Sequence, residues 1–301
     1  MRGIDRQLCL LLKWGMLGLL FLSSIFFLAA GAASPKNLQG NPEGTKVSIQ
    51  LLEEQLDQLA GDARETAGRL GKSALPALLP RTRGESVRER VLVLECLAEV
   101  KGPEAVRALV QALQDSEQDV WNMALNLLHY TNSPEAIGPL TELMVQSPHA
   151  RVRGEIARIL GRMEAASALP AIQSQIGKEG DQEAAHKMNL AIARLKDGDE
   201  RKKVVERLSH SDPKVRYRAI GELEYVNDRN LVNRLLPLFY DEARVVNVGQ
   251  ERWPVWHRVC DRAVEAVVFL TGKTLPFPTG NRSYTPEQIR MARELITTIG
   301  K

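Results

Sequence analysis

Aromatic side chains are scarce in this chain, 5% of 301 residues, while 44% are hydrophobic. That imbalance disfavours a β-rich fold and suits Ala and Leu packing between helices. Cysteine is nearly missing too. Of Cys9, Cys96 and Cys260, the first lies in an apolar N-terminal segment and the others fall in well-separated apolar helical patterns. They read as two small buried hydrophobes rather than a disulfide framework. A charge excess is also lacking: the formal net charge is +3, and without the first 33 residues 37 basic face 36 acidic side chains. Nucleic-acid binding through phosphate neutralisation needs a clear basic surplus and is disfavoured. No glycine-rich phosphate loop and no Gly-x-Ser-x-Gly elbow occurs, so common nucleotide and hydrolase chemistries lack their motifs. The five histidines, His129, His149, His186, His210 and His257, sit in five different units with no i, i+4 pair among them. Neither a metal nor another cofactor is expected.

What the chain does have is a repeat. Val87, Val120, Val152, Ala184 and Val215 open near-copies of one pattern at spacings of 33, 32, 32 and 31 residues. Apolar residues recur at offsets 0, +4, +7 and often +8, which marks one face of a helix. A second apolar stripe follows in each copy, such as Val106, Leu109 and Leu113, or Ile137, Leu140 and Met144. Each unit is therefore a helical hairpin, and a period in this range predicts a stacked solenoid. Pro103, Pro134, Pro148 and Pro213 stand at first helical positions, where a missing amide costs nothing.

Arg2, Arg6 and Lys13 precede an apolar run from Trp14 to Leu28 and the small residues Ala29 to Ala33. Residues 1–33 read as an export signal cleaved before Ser34, or as an uncleaved anchor. In both cases the basic end stays in the cytoplasm and the rest of the chain lies on the outer side, periplasmic or extracellular. Membrane contact is confined to residues 8–33 and requires that the segment be retained. Residues 34–47, with Pro35, Gly40, Pro42 and Gly44, are expected to be a flexible linker. Residues 48–301 form the repeat domain, opening on a degenerate first unit or cap.

The period breaks once. The opening at Val259 comes 44 residues after Val215, so about 12 residues are inserted, within 244–257. Val245, Val246, Val248, Trp253, Val255 and Trp256 flank Gly249 and Gln250 there, the composition of a β-hairpin or an ordered loop. Beyond Thr271 the stretch from Pro276 to Pro278 interrupts the helical pattern, and a last helix is expected over 286–299, with Thr285 and Gln288 at capping-box spacing.

The hydrophobic hairpins, with Val-Arg openings at Val87–Arg88, Val152–Arg153 and Val215–Arg216, resemble HEAT repeats, especially the short bacterial type named after phycobilisome lyases. The resemblance covers roughly residues 54–272. It implies an all-α, right-handed α-α superhelix of about six helical hairpins. It also implies a protein-binding scaffold without catalysis; the alternative is a HEAT-like lyase or ligand-binding enzyme. Metal-binding HEAT hydroxylases carry His-Glu pairs, whereas these histidines precede Tyr130, Ala150, Lys187, Ser211 and Arg258. By the same resemblance, Arg88, Arg153 and Arg216 hold neighbouring units together, with Trp121 in the equivalent place of the second copy. The docking surface would lie on the second helices, at Arg107, Gln111, Thr141, Gln173, Lys203, Arg207 and Arg234, with Lys202, Lys203 and Arg207 as a small basic spot. The insertion, with Trp253 and Trp256, is either a partner-binding element or a structural cap. Asn281, Arg282 and Ser283 spell a glycosylation sequon, which matters only in a eukaryote.

Overall fold

A computed structural model of the chain describes residues 42–130, 133–247, 255–280 and 283–299. The signal or anchor segment, most of the linker, Trp253 and the first two sequon residues lie outside them. No helix among the described residues is long and apolar enough to cross a membrane.

The fold is an all-α solenoid of helical hairpins. Helix α1 spans Pro42–Asp57 and starts inside the stretch expected as linker, with proline at its first position. Helix α2 (Ala63–Leu70) and the single turn α3 (Leu75–Leu78) complete the N-terminal unit. Then α4 (Val87–Val100) pairs with α5 (Pro103–Gln111), α6 (Gln118–Tyr130) with α7 (Ile137–Gln146), and α8 (Ala150–Arg162) with α9 (Leu169–Ile176). Helix α10 (Gln182–Leu195) pairs with α11 (Asp199–Arg207). Helix α12 (Pro213–Val226) is answered by a 3₁₀ segment, Arg229–Tyr240, in place of an α-helix. Pro237 lies inside that segment and offers no amide to an i−4 carbonyl.

Helix starts follow from local chemistry. Side-chain oxygens of Ser86, Asp181 and Asp212 accept from the backbone amides of Glu89, Ala184 and Lys214, supplying partners to donors that have none inside the helix. Gly102, at φ +90°, makes the tight turn between α4 and α5 that residues with a Cβ rarely adopt.

Strand β1 (Arg244–Asn247) pairs antiparallel with β2 (Trp256–Arg258), Val246 opposite His257 and Asn247 opposite Trp256, with an irregularity between Arg244 and Val246. Helix α13 (Val259–Thr271) follows directly. In the last helix, α14 (Pro286–Ile299), Thr285 and Gln288 exchange hydrogen bonds: the Thr285 amide donates to Gln288 Oε1 at 2.9 Å and the Gln288 amide to Thr285 Oγ1 at 3.3 Å.

Among the described residues, two hydrophobic cores fill the array. One runs from Leu52 to Met188 and Ala191; the other takes in Leu190, Ala193 and the apolar residues up to Ile296. Helix α10 contributes to both. Cys96 and Cys260 are free, buried thiols, one in each half, and burial pushes them up to about 12 and about 11.

Candidate functional site

The polar repeat proves to be a clasp. Arg153 Nη1 donates to the carbonyls of Ser147 and Pro148 in the turn before its helix, while Nε and Nη2 meet the Glu179 carboxylate at 2.7 Å each. Arg216 does the same with the carbonyls of His210 and Ser211 and with Asp241 at 2.6 Å. Glu179 and Asp241 lie in the segments leading to the next unit and accept the amides of Asp181 and Ala243, so each arginine ties both ends of its hairpin to the following element.

In the first clear unit this role belongs to Arg90, not to Arg88. Arg90 is buried, donates to the carbonyls of Gly84 and Glu85, and pairs with Asp115 at 3.0 Å. Arg88 is exposed. The Val-Arg match at Val87 sets the copy two residues out of register, because the helix starts at the Ser86 cap and its fourth residue beyond the cap is Arg90. Trp121 takes that place in the second unit, with the Arg151 guanidinium 5.3 Å from its ring centroid.

The expected docking residues of the second helices divide. Arg107, Gln111, Gln173, Lys203 and Arg234 are exposed. Thr141 instead returns its hydroxyl to the Ile137 carbonyl, at 2.7 Å. The basic spot on α11 is compensated: Lys202 pairs with Asp199, Lys203 with Glu200, and Arg207 reaches Glu222 of α12 at 2.5 Å. Sequence reasoning could not see that last pairing, since its partners lie on different helices 15 residues apart.

The hairpin is both anchored and exposed. His257 is wholly buried, its Nδ1 2.7 Å from the Tyr217 hydroxyl and its Nε2 3.8 Å from Glu265. Arg258 and the buried Asp261 form a pair that also holds Tyr284 through both its amide and its carbonyl. Around this anchor Val246, Val255 and Trp256 remain 38–46% exposed. The cap and the exposed surface belong to one element.

The polar site that sequence reasoning missed lies on the first helices. Glu155 of α8 receives His129 at 3.4 Å, Lys187 at 3.1 Å and Arg158 at 3.6 Å. Burial works to raise its carboxyl, but hydrogen bonds from His129 and Lys187, with the charges of Lys187 and Arg158, hold it at about 2. On α12, Glu222 is gripped by His186 at 2.8 Å and by Arg207; burial raises its carboxyl and these partners more than reverse the effect. Glu222 helps line an open groove of about 400 Å³ across α8, α10 and α12, with Arg158, Glu183, Lys187, Leu190, Arg218 and Tyr225 among its other residues. Tyr225 donates to the Arg158 carbonyl at 2.7 Å, and the guanidinium carbons of Arg158 and Arg194 lie 5.3 and 5.6 Å from its ring centroid. Among the described residues, no group of three or more His, Cys, Asp or Glu side chains is placed to hold a metal ion.

Residues 106–193 match the family model of HEAT repeats. Among solved structures, the chain is similar to the complex of CpcE and CpcF of phycocyanin lyase from Nostoc sp. PCC7120, with 17% identity and a TM-score of 0.47 over 90% of this chain and 99% of that one. An engineered protein follows at 16% identity and TM-score 0.38, covering 85% of this chain and 79% of the other. Human deoxyhypusine hydroxylase in complex with glycerol is similar at 14% identity and TM-score 0.34, covering 86% and 99%. No curated protein sequence matches significantly.

Proposed function

From the premise that this is a HEAT-repeat protein, we propose that it is an exported or membrane-tethered scaffold that holds a protein partner and performs no catalysis of its own. The observation that carries this reading is the hairpin inserted into the array. It is fixed from below by His257, Arg258 and Asp261, yet it keeps Val246, Val255 and Trp256 in solvent. Repeat-array insertions map to loops on one face, and an exposed tryptophan on a preorganised element is a good anchor for a partner's pocket. A rigid array also loses little freedom on association.

In-cell cross-linking of the C-terminally tagged chain, followed by capture and mass spectrometry, tests this. The expected result is one recurrent envelope protein, lost from a Trp253→Ala, Trp256→Ala variant whose melting temperature stays near wild type. A chain that carries a small molecule and no protein would overturn the scaffold reading in favour of a lyase-like or ligand-carrying one. Export is tested by sequencing the N-terminus of the envelope fraction. A chain starting at Ser34 supports cleavage, an intact N-terminus in the membrane supports the anchor, and retention in the cytoplasm sinks both.

A further inference from the structure

The chain's positive charge is unevenly placed. Helices α8, α10 and α12 carry nine arginines and lysines against four glutamates, whereas α9 has no charged residue and α11 has four basic against three acidic. With an excess of only +3 over the whole chain, the surplus is concentrated on the first helices of three consecutive units. Three of the nine, Arg158, Lys187 and Arg218, line the groove together with Glu183 and Glu222.

Two carboxylates line it. Glu222 is held by Arg207 and His186, and the largely exposed Glu183 lies 3.5 Å from Lys187, which also reaches Glu155 nearby. The cations are less well matched. Arg158 and Arg194 each bury an Nε–H that has no acceptor, and Arg162 is pushed down by burial and by the charge of Arg158. Arg158 and Arg194 flank one tyrosine ring, and with Arg162 they have as partners backbone carbonyls, Glu155 and the largely exposed Glu164. Arg218 stands exposed at the mouth. Leu190 and Gly221 supply an apolar floor between the charges.

We propose that this groove docks an acidic, extended segment of the protein partner, its carboxylates meeting Arg158 and Arg218 while an apolar side chain rests on Leu190 and Gly221. This rests on the scaffold reading and assigns a second contact face to it. An extended segment fits better than a small anion, because the cations come from α8 and α12 along an open channel rather than converging on one point. Carboxylates in the groove would meet the exposed Arg218 and the part-exposed Arg158 and offset the positive charge gathered around Arg158.

The test uses the full chain and a fluorescein-labelled dodecapeptide alternating Glu with Leu and Ala, with fluorescence anisotropy read at low and at physiological salt. A peptide with Lys in place of Glu is the sign control. Binding of the acidic peptide alone, weakened about tenfold or more by Arg218→Glu, is expected from the loss of one charge-assisted contact and its replacement by repulsion. Lys178→Gln with Lys196→Gln, which removes the same amount of charge from exposed loop positions, should change affinity less than about twofold. Equal weakening in both variants would reduce the effect to net charge and overturn the proposal. So would a single-stranded oligonucleotide that binds more tightly than the peptide and is lost with Arg218→Glu. The two readings fail separately. Partner capture in cells that is unaffected when the peptide does not bind removes the groove alone, whereas peptide binding at Arg218 with no protein captured in cells removes the scaffold.

Discussion

Arg90 is 8% exposed, and a guanidinium that deep between helices persists only because carbonyls of Gly84 and Glu85 and both Asp115 oxygens surround it. Arg90→Ala leaves Asp115 half-buried without its counter-charge and should cost about 3 kcal/mol in denaturant unfolding. Arg88→Ala, on the exposed side of the same helix, should stay within about 0.5 kcal/mol. Glu155 makes a prediction in pH. Its carboxyl is depressed from 4.5 to about 2, so its contribution is complete above pH 4.5 and drains away as pH falls towards 2. Melting temperature followed over that window should fall more steeply in wild type than in Glu155→Gln. The variant should be less stable at neutral pH by about 2 kcal/mol and should approach wild type at the acid end.

At the scale of elements, α8 and α10 approach closely because α8 presents Gly154 and Gly161. A Cβ at Gly154 would lie 2.9 Å from the Ala184 Cα, and one at Gly161 would overlap the Tyr225 hydroxyl. Gly161→Ala should therefore destabilise by about 2 kcal/mol through overpacking. Adding Tyr225→Phe should recover part of that loss, a non-additivity readable in a double-mutant cycle. The helical hairpins and the break in period near residue 244 were legible in the sequence, because apolar spacing and insertion length are one-dimensional facts. The register of the first copy was not. A Val-Arg pair at residue 87 imitated the later openings, while the arginine that clasps is set by distance from the Ser86 cap. The 3₁₀ form of 229–240 could have been read from Pro237, whose position inside the apolar stripe was the available signal. For the site, the exposed second-helix residues and Trp256 were foreseeable. The cationic groove was not, since it joins residues of three helices whose mutual facing no periodicity encodes.

At the scale of the molecule, the interior is two cores rather than one, and α10 supplies Met188 and Ala191 to the first and Leu190 and Ala193 to the second. In repeat arrays, stability is a sum of unit and neighbour terms, so damage stays near where it is made. Met188→Ala should lower hydrogen-exchange protection chiefly in α4 to α9, and Leu190→Ala chiefly in α11 to α14, each by about 2–4 kcal/mol where it acts. Loss of protection spread evenly over both halves in either variant would show a single cooperative core.

Because α8 belongs to the first core, α12 to the second and α10 to both, whatever lies across these three helices touches elements of both cores. An occupant there would behave as a splint: by binding residues from both cores at once it would couple their unfolding and raise the cooperativity of the whole array.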